Sequence, residues 1–142
     1  MNKVYLLDTN IVSEFSKERP NQNVIALYEA RKKMCAISAV TWQELIYGVS
    51  KMPEGKRKDS ISEFTEDLKN NFEIIPYDEF SANICGQLLG TCAKCGKTLP
   101  YGDTQIAATA IANGMVLVTR NASDFAEASE RSFLKVEDWF SA

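Results

Sequence analysis

The chain has 142 residues, a length typical of one domain that buries roughly two-thirds of its unfolded surface without disulfides. Its formal net charge is −3, from 16 Lys and Arg against 19 Asp and Glu, which excludes a strongly basic field over the whole molecule. The chain contains no histidine, which excludes Ser-His-Asp and Cys-His catalysis and histidine-containing zinc sites. We expect residues 1–142 to form one domain whose chemistry uses carboxylates, metal ions, hydroxyls or thiols.

Targeting signals are not evident in the sequence. The first residues, MNKVYLL, run directly into an apolar strand, and no stretch approaches the roughly twenty apolar residues of a membrane span. We therefore expect a cytoplasmic protein. Attraction to nucleic acid would have to come from local basic patches, such as 31–33 and 56–58, or from metal ions covering the acids.

Residues 4–7 predict the first strand, and Asp8, Thr9 and Asn10 follow at its carboxyl end. A short helix is predicted over 11–16. Either Asp8 or Asn10 suits the N-cap of that helix, and from the local sequence alone capping is the simpler role. A further helix is predicted with Pro20 in its first turn.

The second strand is predicted over 34–40, with Cys35 as a small buried residue. Thr41 to Glu44 matches a capping box, in which Glu44 would bond back to the amide of the cap residue. The local pattern thus favours a structural role for Glu44. Residues 53–55 break this helix, and a second amphipathic helix around 61–68 completes a helical hairpin.

A third strand is predicted over 72–76, followed by a long helix capped by Asp78. Cys85, Cys92 and Cys95 belong to this helix region and include a C-x-x-C pair. A zinc site would need four ligands, and a thioredoxin-like pair would open a helix rather than end one. We therefore expect neither a zinc site nor a redox pair here, and we expect Cys92 and Cys95 to be dispensable for activity and stability.

The stretch from Pro100 to Phe125 places two acids at the ends of well-marked elements. Asp103 is predicted to open a helix that ends at Asn113-Gly114, and 115–118 is an apolar run typical of a parallel strand buried on both faces. Asp124 then lies in the crevice beyond the end of that strand, where open α/β sheets bind ligands. A last strand is predicted over 133–136, with Trp139 and Phe140 packing the terminus.

Strands and helices alternate throughout, which predicts an α/β fold with a mostly parallel sheet of about five strands and helices on both faces. The carboxyl ends of parallel strands share one edge, so Asp8, Glu44, Asp103 and Asp124 are expected to gather there. Carboxylates without a cationic partner would repel one another and raise one another's pKa values. A hard divalent cation, Mg²⁺ or Mn²⁺, is the natural complement of such an oxygen-only set.

Four motifs, in this order and spacing, resemble those of PIN-domain ribonucleases, specifically their VapC-like toxin branch. They are LLDTN at 6–10, SAVTWQELIYG at 38–48, YGDTQIAATAIANG at 101–114 and LVTRNASDF at 117–125. The resemblance implies a PIN-like three-layer sandwich and a Mg²⁺-dependent endoribonuclease. It also implies a homodimer held inactive by a cognate antitoxin whose tail enters the active site.

By the same resemblance, Asp8, Glu44, Asp103 and Asp124 form the catalytic acidic set, supported by the polar residues Thr9, Asn10 and Asn121. We predict Asp8 and Asp103 as direct metal ligands, with Glu44 and Asp124 acting directly or through water. The expected reaction is in-line attack on an RNA phosphodiester by metal-activated water.

Two rival functions remain open at this stage. A haloacid-dehalogenase-like phosphatase also places an aspartate after the first strand, but it needs a second aspartate two residues later, where this chain has Asn10. The other rival is a non-catalytic RNA-binding or interaction module whose acids only cap helices.

Overall fold

A five-stranded parallel sheet lies at the centre of the computed structural model, which describes residues 2–141. Its strands lie in the order β3-β2-β1-β4-β5, and every neighbouring pair is parallel. This confirms the predicted parallel sheet. The strands are β1 (Tyr5–Leu7), β2 (Cys35–Ser38), β3 (Glu73–Ile75), β4 (Val116–Val118) and β5 (Lys135–Glu137).

Seven α-helices connect the strands, and short 3-10 turns at Lys32–Met34 and Ala122–Phe125 complete the regular structure of residues 2–141. Helices α3 and α4 pack against each other as the predicted hairpin. None of the helices in residues 2–141 has both the length and the apolar character needed to cross a membrane. The helices are α1 (Thr9–Glu14), α2 (Gln22–Arg31), α3 (Ala39–Ser50), α4 (Lys56–Asn71), α5 (Glu79–Lys94), α6 (Tyr101–Ala112) and α7 (Ala126–Glu130).

Alternating strand residues build two separate cores, one on each face of the sheet. Leu6 and Leu117 pack with α6 and α7 on one face, whereas Leu7 and Val118 pack with α1, α2 and α4 on the other. Successive strand side chains point to opposite faces, so a solid apolar run serves both cores. The molecule is therefore the predicted three-layer sandwich.

The start of α3 differs from the prediction. The second strand ends at Ser38 rather than residue 40, and Ser38 is the N-cap, accepting a hydrogen bond from the amide of Thr41 at 2.9 Å. The predicted capping box is wrong, since Thr41 lies inside the helix and Glu44 bonds to Thr9 instead. Ser38 is an equally good cap by residue type, and the apolar strand simply ends two residues earlier.

Other element boundaries also shift. Helix α1, predicted over 11–16, spans Thr9–Glu14, because Asp8 is its N-cap. Pro20 precedes α2, whose N-cap is Asn21. Helix α6 begins at Tyr101, so that Asp103 lies within its first turn rather than opening it. The last strand runs from Lys135 to Glu137, beginning two residues later and ending one residue later than predicted, and Phe133 is 94% exposed. As an edge strand β5 has only one neighbour, so apolar periodicity marks it weakly.

Residues at the ends of several elements have the roles that were predicted for them. Gly114 takes a φ of 63° after α6, which only glycine adopts without strain. Asp78 caps α5 by accepting a hydrogen bond from the amide of Ser81 at 2.9 Å. Trp139 is 1% exposed and packs the C-terminal segment onto the core.

Candidate active site

A cavity of about 410 Å³ opens at the carboxyl edge of the sheet, beyond the ends of β1 and β4. Its lining includes every residue selected from the sequence, and their roles in catalysis stay predictions. Those residues are Asp8, Thr9, Asn10, Glu44, Asp103, Asn121 and Asp124.

Asp8 is buried, at 6% exposure, and both of its carboxylate oxygens accept hydrogen bonds. One accepts from the amide of Thr9 at 2.8 Å, which makes Asp8 the N-cap of α1. The other accepts from the hydroxyl of Thr119 at 2.8 Å and from the side-chain Nδ2 of Asn10 at 3.2 Å. Burial raises the pKa of Asp8, these hydrogen bonds oppose the increase, and the charge of Glu44 adds to it.

Glu44 joins two parts of the site. One of its oxygens accepts a hydrogen bond from the hydroxyl of Thr9, which fixes α3 against the end of β1. The other lies near the start of α6, where a Cβ added to Gly102 would be 3.2 Å from Glu44 Oε2. Glycine at 102 therefore lets the first turn of α6, with Asp103, approach this carboxylate closely.

Asp103 and Asp124 line the cavity from α6 and from the 3-10 turn after β4. Burial, followed by the charges of Asp8 and Asp124, raises the pKa of Asp103. The carboxylates are thus close enough to repel one another measurably. Local reasoning that treats each acid as a separate helix cap does not explain this convergence.

The donor set suits a hard divalent cation. All candidate ligands are oxygens, and burial together with the neighbouring carboxylates raises the pKa values of Asp8 and Asp103, a cost to the charged forms that a cation would offset. Within residues 2–141 no three His, Cys, Asp or Glu side chains form a ready-made metal-binding group. Mg²⁺ needs only one or two carboxylates, because it retains water and takes up phosphate oxygens. The residues present therefore fit Mg²⁺ better than a cation that requires an all-protein shell.

Two site residues were missed in the sequence. Thr119 is fully buried, donates to Asp8, and accepts from the amide of Asn121 at 3.1 Å. Arg120 lines the cavity, and its amide donates to Asn10 Oδ1 at 3.0 Å. The sequence feature that could have identified both residues is the abrupt change from apolar to polar residues after β4. Residues next to the end of this strand lie at the same edge of the sheet as Asp8.

An apolar groove of about 390 Å³ adjoins the acidic cavity between α1, α3 and α4. It shares Thr9, Ser13, Lys17 and Glu44 with the cavity. Its floor is lined by Leu45, Val49, Met52, Ile61 and Phe64. An extended or helical apolar segment could thus lie beside the acids.

The cysteines lie outside this cavity. Cys35, Cys85 and Cys92 are buried and Cys95 is exposed, all as free thiols. Burial raises the pKa of the Cys35 thiol to about 12, so this thiol is unreactive at neutral pH. That Cys92 and Cys95 are dispensable for activity and stability stays a prediction.

The fold and cavity define an α/β protein with a carboxylate-lined site at the carboxyl edge of a parallel sheet. A model of the PIN domain family matches residues 5–131. The chain is 33% identical to Ribonuclease VapC2 of Haemophilus influenzae over 136 residues, 95% of this chain and 97% of the relative. It is 31% identical to the tRNA(fMet)-specific endonuclease VapC of Shigella flexneri over 135 residues, with the same coverage.

Another relative is Toxin FitB of Neisseria gonorrhoeae, 34% identical over 124 residues, 84% of this chain and 89% of the relative. Among solved structures, FitAcB from Neisseria gonorrhoeae superposes with a TM-score of 0.87 at 31% identity, covering 98% of this chain and 100% of that one. A toxin-antitoxin complex from Klebsiella pneumoniae gives a TM-score of 0.66 at 29% identity, covering 86% and 90%.

The chain therefore belongs to the PIN-domain family, among its VapC-like nucleases. This assignment removes the haloacid-dehalogenase-like alternative.

Proposed function

We propose that the chain is a divalent-cation-dependent endoribonuclease that hydrolyses RNA phosphodiesters, with Mg²⁺ as its cation and Mn²⁺ as a substitute. One observation carries the proposal: carboxylates from four separate segments line a single cavity in a PIN domain. The ribonuclease and endonuclease names of its relatives support RNA as the substrate class.

In this proposal Asp8 and Asp103 hold the cation, with Glu44 and Asp124 acting directly or through water. When bound, the cation supplies a nucleophilic water at neutral pH and offsets charge on the phosphate, so no histidine is needed. Thr9 orients Glu44, while Asn10 and Asn121 tie the strand ends around Asp8. In this proposal, Glu44 orients the attacking water.

The test is cleavage of a structured RNA, for which tRNA is the first choice because one relative is named tRNA(fMet)-specific. We expect cleavage with Mg²⁺ or Mn²⁺, none in excess EDTA, and none by Asp103→Asn. Asp67→Asn, which removes an exposed charge on α4, is the matched control and should cleave normally. Undiminished cleavage in EDTA by protein cleared of contaminating nuclease would exclude the metal mechanism.

The non-catalytic alternative makes a different prediction in the same experiment. An RNA-binding module would bind the RNA and leave it intact under every metal condition. Retained RNA cleavage by Asp103→Asn would instead leave Asp103 as an acid in the first turn of α6 that acts only on the helix dipole.

We further propose that the chain is the toxin of a toxin-antitoxin pair. The apolar groove beside the acids, shared through Thr9, Lys17 and Glu44, would accept an antitoxin segment whose end reaches the cavity. The toxin name of one relative and the toxin-antitoxin structure from Klebsiella pneumoniae support this role.

We expect the product of the reading frame immediately upstream to co-purify with the chain and to inhibit RNA cleavage. Leu45→Asp should release that partner, and full inhibition of this variant would exclude the groove.

A homodimer acting in the cytoplasm completes the proposal. Two aromatic side chains near the α5 and α6 N-termini are exposed, Phe80 at 76% and Tyr101 at 70%, and such side chains are enriched at interfaces. Sedimentation equilibrium should give twice the chain mass, and a monomer at micromolar concentration would exclude the dimer.

A further inference from the structure

Arg120 is the side chain of the cavity best placed to meet a substrate phosphate. It follows Thr119 directly, at the carboxyl end of β4, and it lines the same cavity as the four acids. Its amide donates to Asn10 Oδ1 at 3.0 Å, so its backbone is tied to the segment that carries Asp8. The position of the guanidinium group is thus coupled to the site.

Among residues 2–141, the charge of Arg120 acts on an acid only at longer range, as the last of the effects that lower the pKa of Glu14. None of the ion pairs formed by residues 2–141 includes it. Lys17, the other cation of the cavity, is instead paired with the buried Glu14 at 2.9 Å. Arg120 is therefore the available positive group beside four carboxylates that would otherwise repel a phosphate.

The Phe140 ring stacks against this guanidinium group and holds it in place. The carbon of the Arg120 guanidinium lies 4.6 Å from the centroid of the Phe140 ring, within the range of a cation–π contact. The ring packs against the core that contains Trp139, and the backbone amide of Phe140 donates to Asp138 Oδ1 at 2.8 Å. Stacking on one face leaves the planar edge of the guanidinium, with its N–H donors, free for another ligand.

We propose that Arg120 binds a phosphate of the RNA backbone at the rim of the acidic cavity, and that Phe140 is a positioning residue acting through Arg120. The inference rests on the proposed ribonuclease function and adds a substrate contact to it. A guanidinium is the side chain best suited to phosphate, because its donors match two oxygens at once.

The test uses the full chain and a fluorescently labelled single-stranded RNA, with binding measured by anisotropy in EDTA and cleavage kinetics measured with Mg²⁺. Arg120→Ala should weaken binding about ten-fold or more, as expected for a hydrogen-bonded ionic contact. The slope of log Kd against log salt concentration should fall by about 0.7, the value for one phosphate contact on a single strand. The loss should appear chiefly in KM if the contact is equal in ground and transition states.

Phe140→Leu should weaken binding about two- to five-fold, the worth of an exposed cation–π contact. Phe140→Tyr keeps a ring and should bind like wild type, which separates positioning from general packing. Lys135→Ala is the charge control. Lys135 is the first residue of β5, so it lies at the amino end of the parallel strands, away from the carboxyl ends where Arg120 lies. It should leave both affinity and salt slope unchanged. Melting temperatures of all variants confirm that each is folded.

The outcomes separate this inference from the function on which it rests. Wild-type affinity and salt slope in Arg120→Ala, with RNA cleavage by wild type intact, would overturn the phosphate contact alone. Equal affinities of Phe140→Leu and Phe140→Tyr would overturn the positioning role. A wild-type chain that neither binds nor cleaves RNA would overturn the proposed function and this contact together.

Discussion

Asp8 combines two roles that sequence reasoning treats as alternatives. Its carboxylate caps α1 through the amide of Thr9, and the same carboxylate faces the acidic cavity. The two oxygens make this possible, because one serves the helix while the other is held by Thr119 and Asn10. A capping pattern at a strand end is thus compatible with a metal-binding role rather than a reason to reject one.

The charge on Asp103 should cost stability when no metal is bound. Its pKa is raised above the usual value of 3.8, so the folded state binds a proton more readily than the unfolded state. Asp103 makes its full contribution to stability below its pKa in the unfolded state. That contribution is lost as the pH rises through the higher pKa of Asp103 in the folded state. Asp103→Asn should therefore gain about 1 kcal/mol in EDTA at pH 7, after allowance for solvent screening and a smaller opposing helix-dipole effect.

That gain should shrink as the pH is lowered from 7 toward 4, because the raised pKa of the wild-type Asp103 carboxyl lets it take up a proton more readily than an ordinary aspartate. Mg²⁺ should raise the melting temperature of wild type and not of the variant, because a ligand stabilises only through the site it occupies. Urea unfolding and melting curves at both pH values, with Asp67→Asn as control, measure these effects. A gain that persists unchanged at pH 4 would show that removing charge repulsion is not its cause.

The Thr119 hydroxyl should control the pKa of Asp8. Its hydrogen bond favours the charged form of Asp8, so Thr119→Val should raise the Asp8 pKa further, while Thr119→Ser should not. Thr119→Val also leaves the Asn121 amide without its acceptor and should cost about 1 to 3 kcal/mol. Carboxyl chemical shifts in an NMR titration measure the pKa. Equal Asp8 pKa values in the two variants would contradict the assigned role.

At the scale of single elements, α3 matters most because it carries Glu44 into the site. Its first turn depends on Ser38, which is buried at the end of β2 and caps the amide of Thr41. The Thr41 hydroxyl is itself buried and has no hydrogen-bond partner among residues 2–141. The Ser38 hydroxyl thus stabilises the fold, whereas burial of the unpaired Thr41 hydroxyl destabilises it.

A matched pair of substitutions tests this difference. Ser38→Ala should lower the free energy of unfolding by about 1 kcal/mol through loss of the cap. Thr41→Val keeps the shape of the side chain, removes an unsatisfied hydroxyl, and should be neutral or slightly stabilising. Urea unfolding monitored by circular dichroism measures both. A larger loss in Thr41→Val than in Ser38→Ala would restore Thr41 as the helix cap.

For the whole molecule, the C-terminal segment closes one of the two cores. Trp139 is buried against Tyr5, with ring centroids 5.4 Å apart, and the Arg31 guanidinium lies over both rings. Because β5 is an edge strand, this packing rather than sheet hydrogen bonding on two sides holds the terminus. The same packing places Phe140 beneath Arg120.

Removing the Trp139 side chain should therefore destabilise the whole fold. Trp139→Ala should cost about 3 to 5 kcal/mol, as for other large aromatic residues in a core. Phe133→Ala is the control, since that ring is 94% exposed and its loss should change stability by less than about 0.5 kcal/mol. Denaturant midpoints measure both effects. Similar midpoints for the two variants would show that the terminus does not close the core.

Local sequence determined the parts of this protein that depend on neighbours along the chain. The run at 115–118 predicted a doubly buried strand, and Gly114 and Asp78 marked helix ends, because dihedral preference and capping act over a few residues. Parallel strands then required their carboxyl ends to share an edge, so the convergence of the four acids could also be predicted.

Tertiary structure alone decided which partner each polar group takes. Glu44 satisfies the capping pattern locally, yet it bonds to Thr9, 35 residues away, because Ser38 already caps the helix. Arg120 and Phe140 are 20 residues apart and meet only because the C-terminal segment folds back over the sheet. Such contacts are selected by burial and by competition among donors and acceptors, which no local window of sequence contains.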